Sequence, residues 1–212
     1  MSKHDEPIEL ADDFEHTLAA LLAVPPKGSE EPSSALDVAA ALIEMRPGPD
    51  QMQLHKLLYL VQAAHLAWYG SPAFRERIEA WRWGPMVRRV AGQYKGHGRY
   101  PIAQPQGGDS GRLAPRTRKV VERVVQRFGH LDGPTLAAIT KVAGGPWHQV
   151  WGDRGPEDSS QEEIPLTLIA DYHRTHDLAS SQPTPDEAQA IRRYLDGDTG
   201  AFVEMLGSSL GS

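Results

Sequence analysis

The chain has 212 residues, of which 40% are hydrophobic and 24% charged, a composition typical of a globular protein with its own core. It contains no cysteine, which excludes a disulfide framework, a thiolate nucleophile and a cysteine-ligated metal. No run of 18 apolar residues predicts a membrane span, and the acidic first segment does not resemble a signal peptide, so we expect a cytoplasmic protein with no membrane partner.

The net charge of −6 is unevenly distributed along the chain. Residues 1–34 contain eight acidic and two basic residues, whereas residues 75–127 contain four acidic and thirteen basic residues. Residues 128–212 are acidic again, with thirteen acidic and five basic residues. A basic middle between acidic ends predicts an interaction surface or charge pairing within the chain.

The first 34 residues predict an acidic amphipathic helix followed by a linker. Apolar residues recur at helical spacing within residues 8–23, and residues 25–34 (PPKGSEEPSS) have the composition of a linker. Such a helix can pack its apolar face on the main domain or insert into a groove of a partner. Under the second interpretation, Phe14 and Leu18 are partner-binding residues.

Two helices are predicted next, and the second is the central element of the fold. Ser34 can cap a helix over residues 35–46, and Asp50 can cap a helix over residues 51–69 that Gly70 ends. The second helix is apolar around nearly its whole circumference, which indicates that it is buried in the core.

A short extended element follows at residues 78–83 (IEAWRW), where apolar and polar residues alternate. In a strand, this alternation would place Trp81 and Trp83 on the same side. Each tryptophan of the chain is interpreted first as a core residue, with partner binding by Trp81 or Trp83 as the alternative. Pro85 is expected to begin a helix that reaches about residue 94.

A helix over residues 115–128 carries the strongest charge pattern of the chain. Valines and a phenylalanine form one side, and four basic residues at spacings of three and four project from the other: Arg116, Lys119, Arg123 and Arg127. We interpret this stripe as a solvated face or as a partner of the chain's own acidic ends, with an acidic protein as the next alternative. The pI of about 5.8 and the lack of a named DNA-binding motif disfavour nucleic acid.

The remaining pattern is helical as well. Further helices are predicted at residues 133–142, 146–151, 165–176, 184–195 and 198–206. The predicted fold is mainly α: a compact helical domain around a buried central helix, with a short β or extended element and with helical N- and C-terminal extensions.

No set of residues in the sequence predicts catalysis, a cofactor or a metal. Phosphate-binding, zinc-protease and serine-hydrolase motifs are missing from the sequence. His173 and His176 share a predicted helix, where a polar helix end is favoured over a metal site. His65 lies on the apolar stripe of the central helix, which favours a hydrogen-bonded core histidine over a catalytic one.

Residues 53–98 contain an ordered set of fragments that identifies a family. In chain order they are Leu54-His55-Lys56-Leu57-Leu58-Tyr59, Gln62, His65, Trp68-Tyr69-Gly70, Ile78-Glu79-Ala80-Trp81, Trp83-Gly84-Pro85 and the segment from Tyr94 to Gly98. Together they resemble the Panacea domain, also described as the SocA-like or GepA-like family. The resemblance covers about residues 35–177 and implies three segments: an acidic helix and linker (1–34), the domain (35–177) and a C-terminal helical extension (178–212).

What the resemblance implies is a non-enzymatic antitoxin that binds a co-encoded toxin protein. It also implies, as an alternative, an adaptor that delivers the toxin to a AAA+ protease. A nucleic-acid-binding regulator that uses the basic stripe is a third hypothesis, and an enzyme of unrecognised type that uses His65 or His173 is the last. Because the charges of the first segment and the stripe are opposite, we also expect residues 1–34 to shield the stripe.

Overall fold

Seven helices and one short β hairpin make up the part of the chain that the structure, a computed structural model, describes: residues 30–155 and 158–176. In chain order these elements are α1 (Ala35–Met45), α2 (Gln51–Tyr69), β1 (Glu79–Trp81), β2 (Gly84–Met86), α3 (Arg88–Gln93), α4 (Pro115–Phe128), α5 (Gly133–Thr140), α6 (Pro146–Trp151) and α7 (Leu166–Thr175). A 3₁₀ turn at Ser110–Arg112 precedes α4. The described part of the chain therefore confirms a mainly α fold.

Helix α2 is the central helix that the sequence predicts. Asp50 caps it in a capping box with Gln53, and Gly70 ends it in the left-handed conformation, with φ 66°. Residues 51–66 are buried without a break. Five helices (α1, α3, α4, α5 and α7) and strand β2 pack against α2, so it has no side that faces solvent until its last turn.

Six of the buried side chains on α2 are polar, which the apolar pattern of the helix conceals: Gln51, Gln53, His55, Lys56, Gln62 and His65. Each of them makes a hydrogen bond to the backbone of another part of the chain, and together they reach four segments: residues 71–74, 85–87, 94 and 131. The partners are main-chain atoms of Tyr94, Leu131, Val87, Pro85, Phe74 and Ser71, in the same order. The central helix therefore holds the connections around it in place as well as the apolar core.

Gln62 bonds to a single connection through both the nitrogen and the oxygen of its side-chain amide. Its Nε2 donates to the carbonyl oxygen of Phe74 at 3.2 Å. Its Oε1 accepts from the backbone N–H groups of Ala73 and Phe74 at 2.9 and 3.2 Å. The same connection also pairs with the chain ahead of α1, because Ser33 N donates to Ala73 O and Arg75 N donates to Ser33 O. The end of the predicted linker is thus fixed to the domain.

The β hairpin differs from the sequence prediction. Gly84–Met86 forms a second strand antiparallel to β1, whereas the sequence predicted a helix from Pro85; helix α3 begins only at Arg88. Pro85 lies opposite Ala80, whose N–H donates outward to Glu162 O at 2.8 Å, so this pair is the non-hydrogen-bonded kind and Pro85 needs no donor. Long-range pairing therefore prevails over the helix-starting tendency of proline.

The two-residue turn of the hairpin also changes the expected positions of the tryptophans. Trp81 is the last residue of β1 and pairs with Gly84, so Arg82 and Trp83 form the turn itself. Strand alternation does not reach Trp83, and β1 covers only Glu79–Trp81 of the extended element predicted at residues 78–83. Gly84 has a φ of 103°, a conformation that glycine adopts most readily.

The end of α4 and the start of α5 lie where the residues typical of helix ends occur in the sequence. Asp132 caps α5 by accepting from Thr135 N, and Gly129 follows the last residue of α4. The predicted first helix at residues 8–23, with Phe14 and Leu18, and the extension at residues 178–212 lie outside the described residues.

Among the described helices, none is long and apolar enough to cross a membrane.

We expect Gly70→Ala to lower the free energy of unfolding by about 1 kcal/mol, because an L-residue at φ 66° is strained. No atom lies within 4 Å of the Cβ that alanine would add, so the effect isolates backbone strain. Gly96→Ala is the matched control, because its added Cβ is equally free of contacts and its φ is not positive. Urea denaturation measures both, and equal effects of the two variants would contradict this assignment.

Candidate partner-binding surfaces

The β hairpin is held from one side by a buried carboxylate. The Glu79 side chain is fully buried, and its Oε1 accepts from Arg77 Nε at 3.1 Å and from Arg88 Nε at 3.2 Å. Its Oε2 accepts from Trp81 Nε1 at 2.8 Å and from Arg88 Nη2 at 3.0 Å. Four donors on one carboxylate compensate for its loss of water and tie β1 to the start of α3.

A buried lysine supports the other strand of the hairpin. Lys56 is fully buried in α2, and its Nζ donates to Pro85 O at 3.1 Å. Burial lowers the pKa of Lys56 well below its usual value, and the nearby charge of Lys141 lowers it further, while Asp50 acts in the opposite direction. The side chain passes so close to Gly84 that a Cβ there would lie 2.9 Å from Lys56 Cε. A Cβ at Gly84 would therefore force the Lys56 side chain to shift, in addition to the strain of its positive φ.

His55, next to Lys56, is a neutral acceptor in the same region. Burial lowers its pKa to about 3, with a smaller contribution from Lys56. Its Nδ1 accepts from Val87 N at 3.3 Å, directly after β2. No role is assigned to Lys56 or Glu79 from the sequence alone. The signal that could have found them is that each is a charged residue with mostly apolar neighbours in the sequence.

Two half-buried cations each lie over a buried tryptophan ring, and we call these four residues the turn surface: Arg82, Trp83, Lys141 and Trp147. The guanidinium carbon of Arg82 lies 4.8 Å from the ring centre of Trp83, and Lys141 Nζ lies 4.4 Å from that of Trp147. Trp147 Nε1 donates to Trp81 O at 2.8 Å, which joins α6 to the hairpin. Arg82 and Lys141 are half-buried, so the patch is cationic where it meets solvent.

The tryptophans differ in their accessibility. Trp81 is 1% exposed with its Nε1 bonded to Glu79, so it takes the core role and offers no surface to a partner. Trp83 is 8% exposed, and its buried Nε1 has no hydrogen-bond partner in the described part of the chain. Trp147 and Trp151 stack with ring centres 5.0 Å apart. Trp68, which the sequence placed in the core, is 45% exposed at the end of α2.

The second surface is the basic stripe on α4, which we call the basic face: Arg116, Lys119, Arg123 and Arg127. Lys119, Arg123 and Arg127 are exposed, and the opposite side of α4, including Val120 and Val124, is buried. Arg116 is partly covered: its guanidinium carbon lies 5.6 Å from the ring centre of Tyr69, and its Nε lies 4.0 Å from Glu30 Oε1.

The histidines that the sequence singled out have structural partners. His65 Nδ1 donates to Ser71 O at 2.6 Å, which confirms a hydrogen-bonded core histidine, and burial lowers its pKa. His173 Nε2 lies 2.9 Å from the Tyr59 hydroxyl, and burial lowers the pKa of His173 to about 4. His176 instead stacks on Tyr172, with ring centres 4.2 Å apart. Within residues 30–155 and 158–176, no three His, Cys, Asp or Glu side chains form a group suited to a metal ion.

Comparisons with known proteins place both surfaces inside a recognised region. Residues 54–148 match the family described as "Antitoxin SocA-like, Panacea domain". The chain is similar to Antitoxin SocA of Caulobacter vibrioides (strain NA1000 / CB15N), with 27% identity over 174 residues that cover 74% of this chain and 93% of that protein. No solved structure matches the chain significantly. The matched range extends from α2 into α6 and so includes the turn surface and the basic face.

We expect Glu79→Gln to lower the free energy of unfolding by about 3 kcal/mol or more. The amide brings a hydrogen-bond donor against Arg77, Arg88 and Trp81 and leaves the buried side of Arg88 without its counter-charge. Asp171→Asn is the matched control, because Asp171 pairs with Arg174 at 2.8 Å but is 70% exposed, and it should cost about 0.5 kcal/mol or less. Urea denaturation of both variants distinguishes them, and a small effect of Glu79→Gln would show that the hairpin does not depend on this carboxylate.

Proposed function

Because residues 54–148 carry a SocA-like Panacea domain, we propose that this protein is an antitoxin that neutralises a co-encoded toxin protein by binding it directly. The observation that carries the proposal is the family match together with the similarity to Antitoxin SocA over 93% of that protein's length. The proposed action is non-enzymatic and takes place in the cytoplasm. It requires only a surface that binds the toxin tightly and covers or distorts its active region.

We assign toxin binding to the turn surface. Tryptophan and arginine are the residue types that most often dominate the energy of protein interfaces, and here Arg82 and Trp83 occupy a two-residue turn. Lys141, which lies over the buried Trp147 ring, adds a second half-buried cation to this surface. The half-buried cations favour an acidic surface on the toxin, because complementary charge guides and orients association.

The turn surface is also rigid before a partner arrives. Glu79 fixes the first strand with four hydrogen bonds, and Lys56 fixes the second through Pro85 O. A binding surface that is already ordered loses less conformational entropy on association than a mobile loop does. This pre-organisation supports tight binding by a small number of residues.

The basic face of α4 is the alternative contact surface. Lys119, Arg123 and Arg127 are more exposed than Arg82 and Lys141, and exposed ion pairs contribute only about 0–1 kcal/mol each. For this reason we place the toxin on the turn surface.

We expect the product of a neighbouring gene to stop bacterial growth when expressed alone and to become harmless when this protein is co-expressed. A neighbouring product that is harmless alone, or that stays toxic in the presence of this protein, would contradict the proposal.

The half-life of the toxin, measured in the same cells by immunoblotting after synthesis is stopped, separates two mechanisms. An unchanged half-life supports neutralisation by binding, and a shortened one supports delivery to a AAA+ protease.

We expect Arg82→Glu to weaken toxin binding by roughly tenfold or more, because charge reversal removes a stacked cation from the centre of the turn surface. Arg123→Glu, which changes charge equally on the basic face, should leave the affinity within a few-fold. Calorimetric titration of the purified toxin measures both, after circular dichroism has shown that each variant is folded. The opposite ranking would transfer toxin binding to the basic face.

A further inference from the structure

The chain enters the described structure directly beside the basic face. Glu30, the first described residue, places its Oε1 4.0 Å from Arg116 Nε, at the N-terminal end of α4. Its other carboxylate oxygen is buried and has no hydrogen-bond partner among the described residues. Ser33 is fixed by two backbone hydrogen bonds to Ala73 and Arg75. The segment that precedes Glu30 is therefore tethered at one end of the basic face.

The rest of the basic face continues away from that tether. From Arg116 to Arg127 the helix rises about 17 Å, with Lys119 and Arg123 between them. Lys119 and Arg123 are exposed and make no ion pair within residues 30–155 and 158–176. Glu122 is the one acidic side chain of α4 and is exposed on the same helix, so the helix retains an excess of positive charge.

The charge of the preceding segment is complementary. Residues 5–15 contain six acidic residues and neither lysine nor arginine. Fourteen residues, 16–29, connect this stretch to Glu30. An extended chain of that length reaches up to about 50 Å, so the acidic stretch can reach every position of the basic face.

We propose that the acidic segment, residues 5–15, binds the basic face of α4 in the same chain, as an extension of the Glu30–Arg116 contact. Each exposed ion pair is weak, but the tether gives the segment a high effective concentration at the face. The interaction is therefore sensitive to salt, because exposed charges are screened. It does not depend on the antitoxin function, but an acidic partner of the basic face would have to displace this segment.

The test uses the full chain, whose lack of cysteine permits labelling at one chosen site. A nitroxide spin label is attached to Gln126→Cys, an exposed position on α4, in ¹⁵N-labelled protein. At low salt, the amide signals of residues 5–15 should be weaker than in the spectrum of the same sample after the nitroxide has been reduced. The loss should disappear at about 1 M salt and in the variant Lys119→Glu/Arg123→Glu. It should persist in Lys95→Glu/Arg99→Glu, which changes charge equally at another exposed pair.

Three results would overturn the proposal. The first is no loss of intensity in residues 5–15 at low salt. The second is a loss that survives both high salt and charge reversal of α4, which would mean that the contact is not electrostatic. The third concerns a mixture of two proteins: one carries the spin label at natural isotope abundance, and the other is ¹⁵N-labelled without a spin label. A loss of intensity in this mixture would mean that the segment binds a second copy.

Discussion

The fold depends on one constraint: six polar side chains on α2 are buried, and each must find a hydrogen-bond partner away from water. A buried polar group without a partner costs on the order of 1–3 kcal/mol, so these groups act together as a strong restriction on the surrounding chain. Their partners lie in the connections on several sides of α2, from Ser71 to Leu131. The helix therefore organises the loops as firmly as it organises the apolar core.

The turn surface is the clearest result of that constraint. Its hairpin is fixed by two ionisable side chains: Lys56 reaches β2 from α2, and Glu79 belongs to β1 itself. Neither group faces solvent, so both are removed from competition with water. What remains accessible is the short turn with its stacked cation, together with the neighbouring Lys141. Buried structural groups and accessible groups thus lie within a few residues of one another.

The sequence predicts the helical fold well because its signals are local. Asp50 and Gly70 mark the ends of α2, and the alternation of valines and basic residues defines α4. The sequence fails at Gly84 and Pro85, since the second strand depends on pairing with β1, which itself pairs with the distant residues 162–164. For the same reason, the anchoring role of Lys56 is invisible in the sequence: its acceptor lies 29 residues away and is a main-chain atom.

All six polar anchors of α2 share one further property: every one of them reaches backbone atoms of its partner segment. Backbone carbonyl groups are the same in every amino acid, and the backbone N–H from which His55 accepts is missing only in proline, so these anchors hardly depend on which side chain the loop residue carries. Loop sequences can consequently drift during evolution while the loop positions stay fixed. A domain of this kind can acquire new recognition surfaces by substitution in its connections, with the central helix as an unchanged framework.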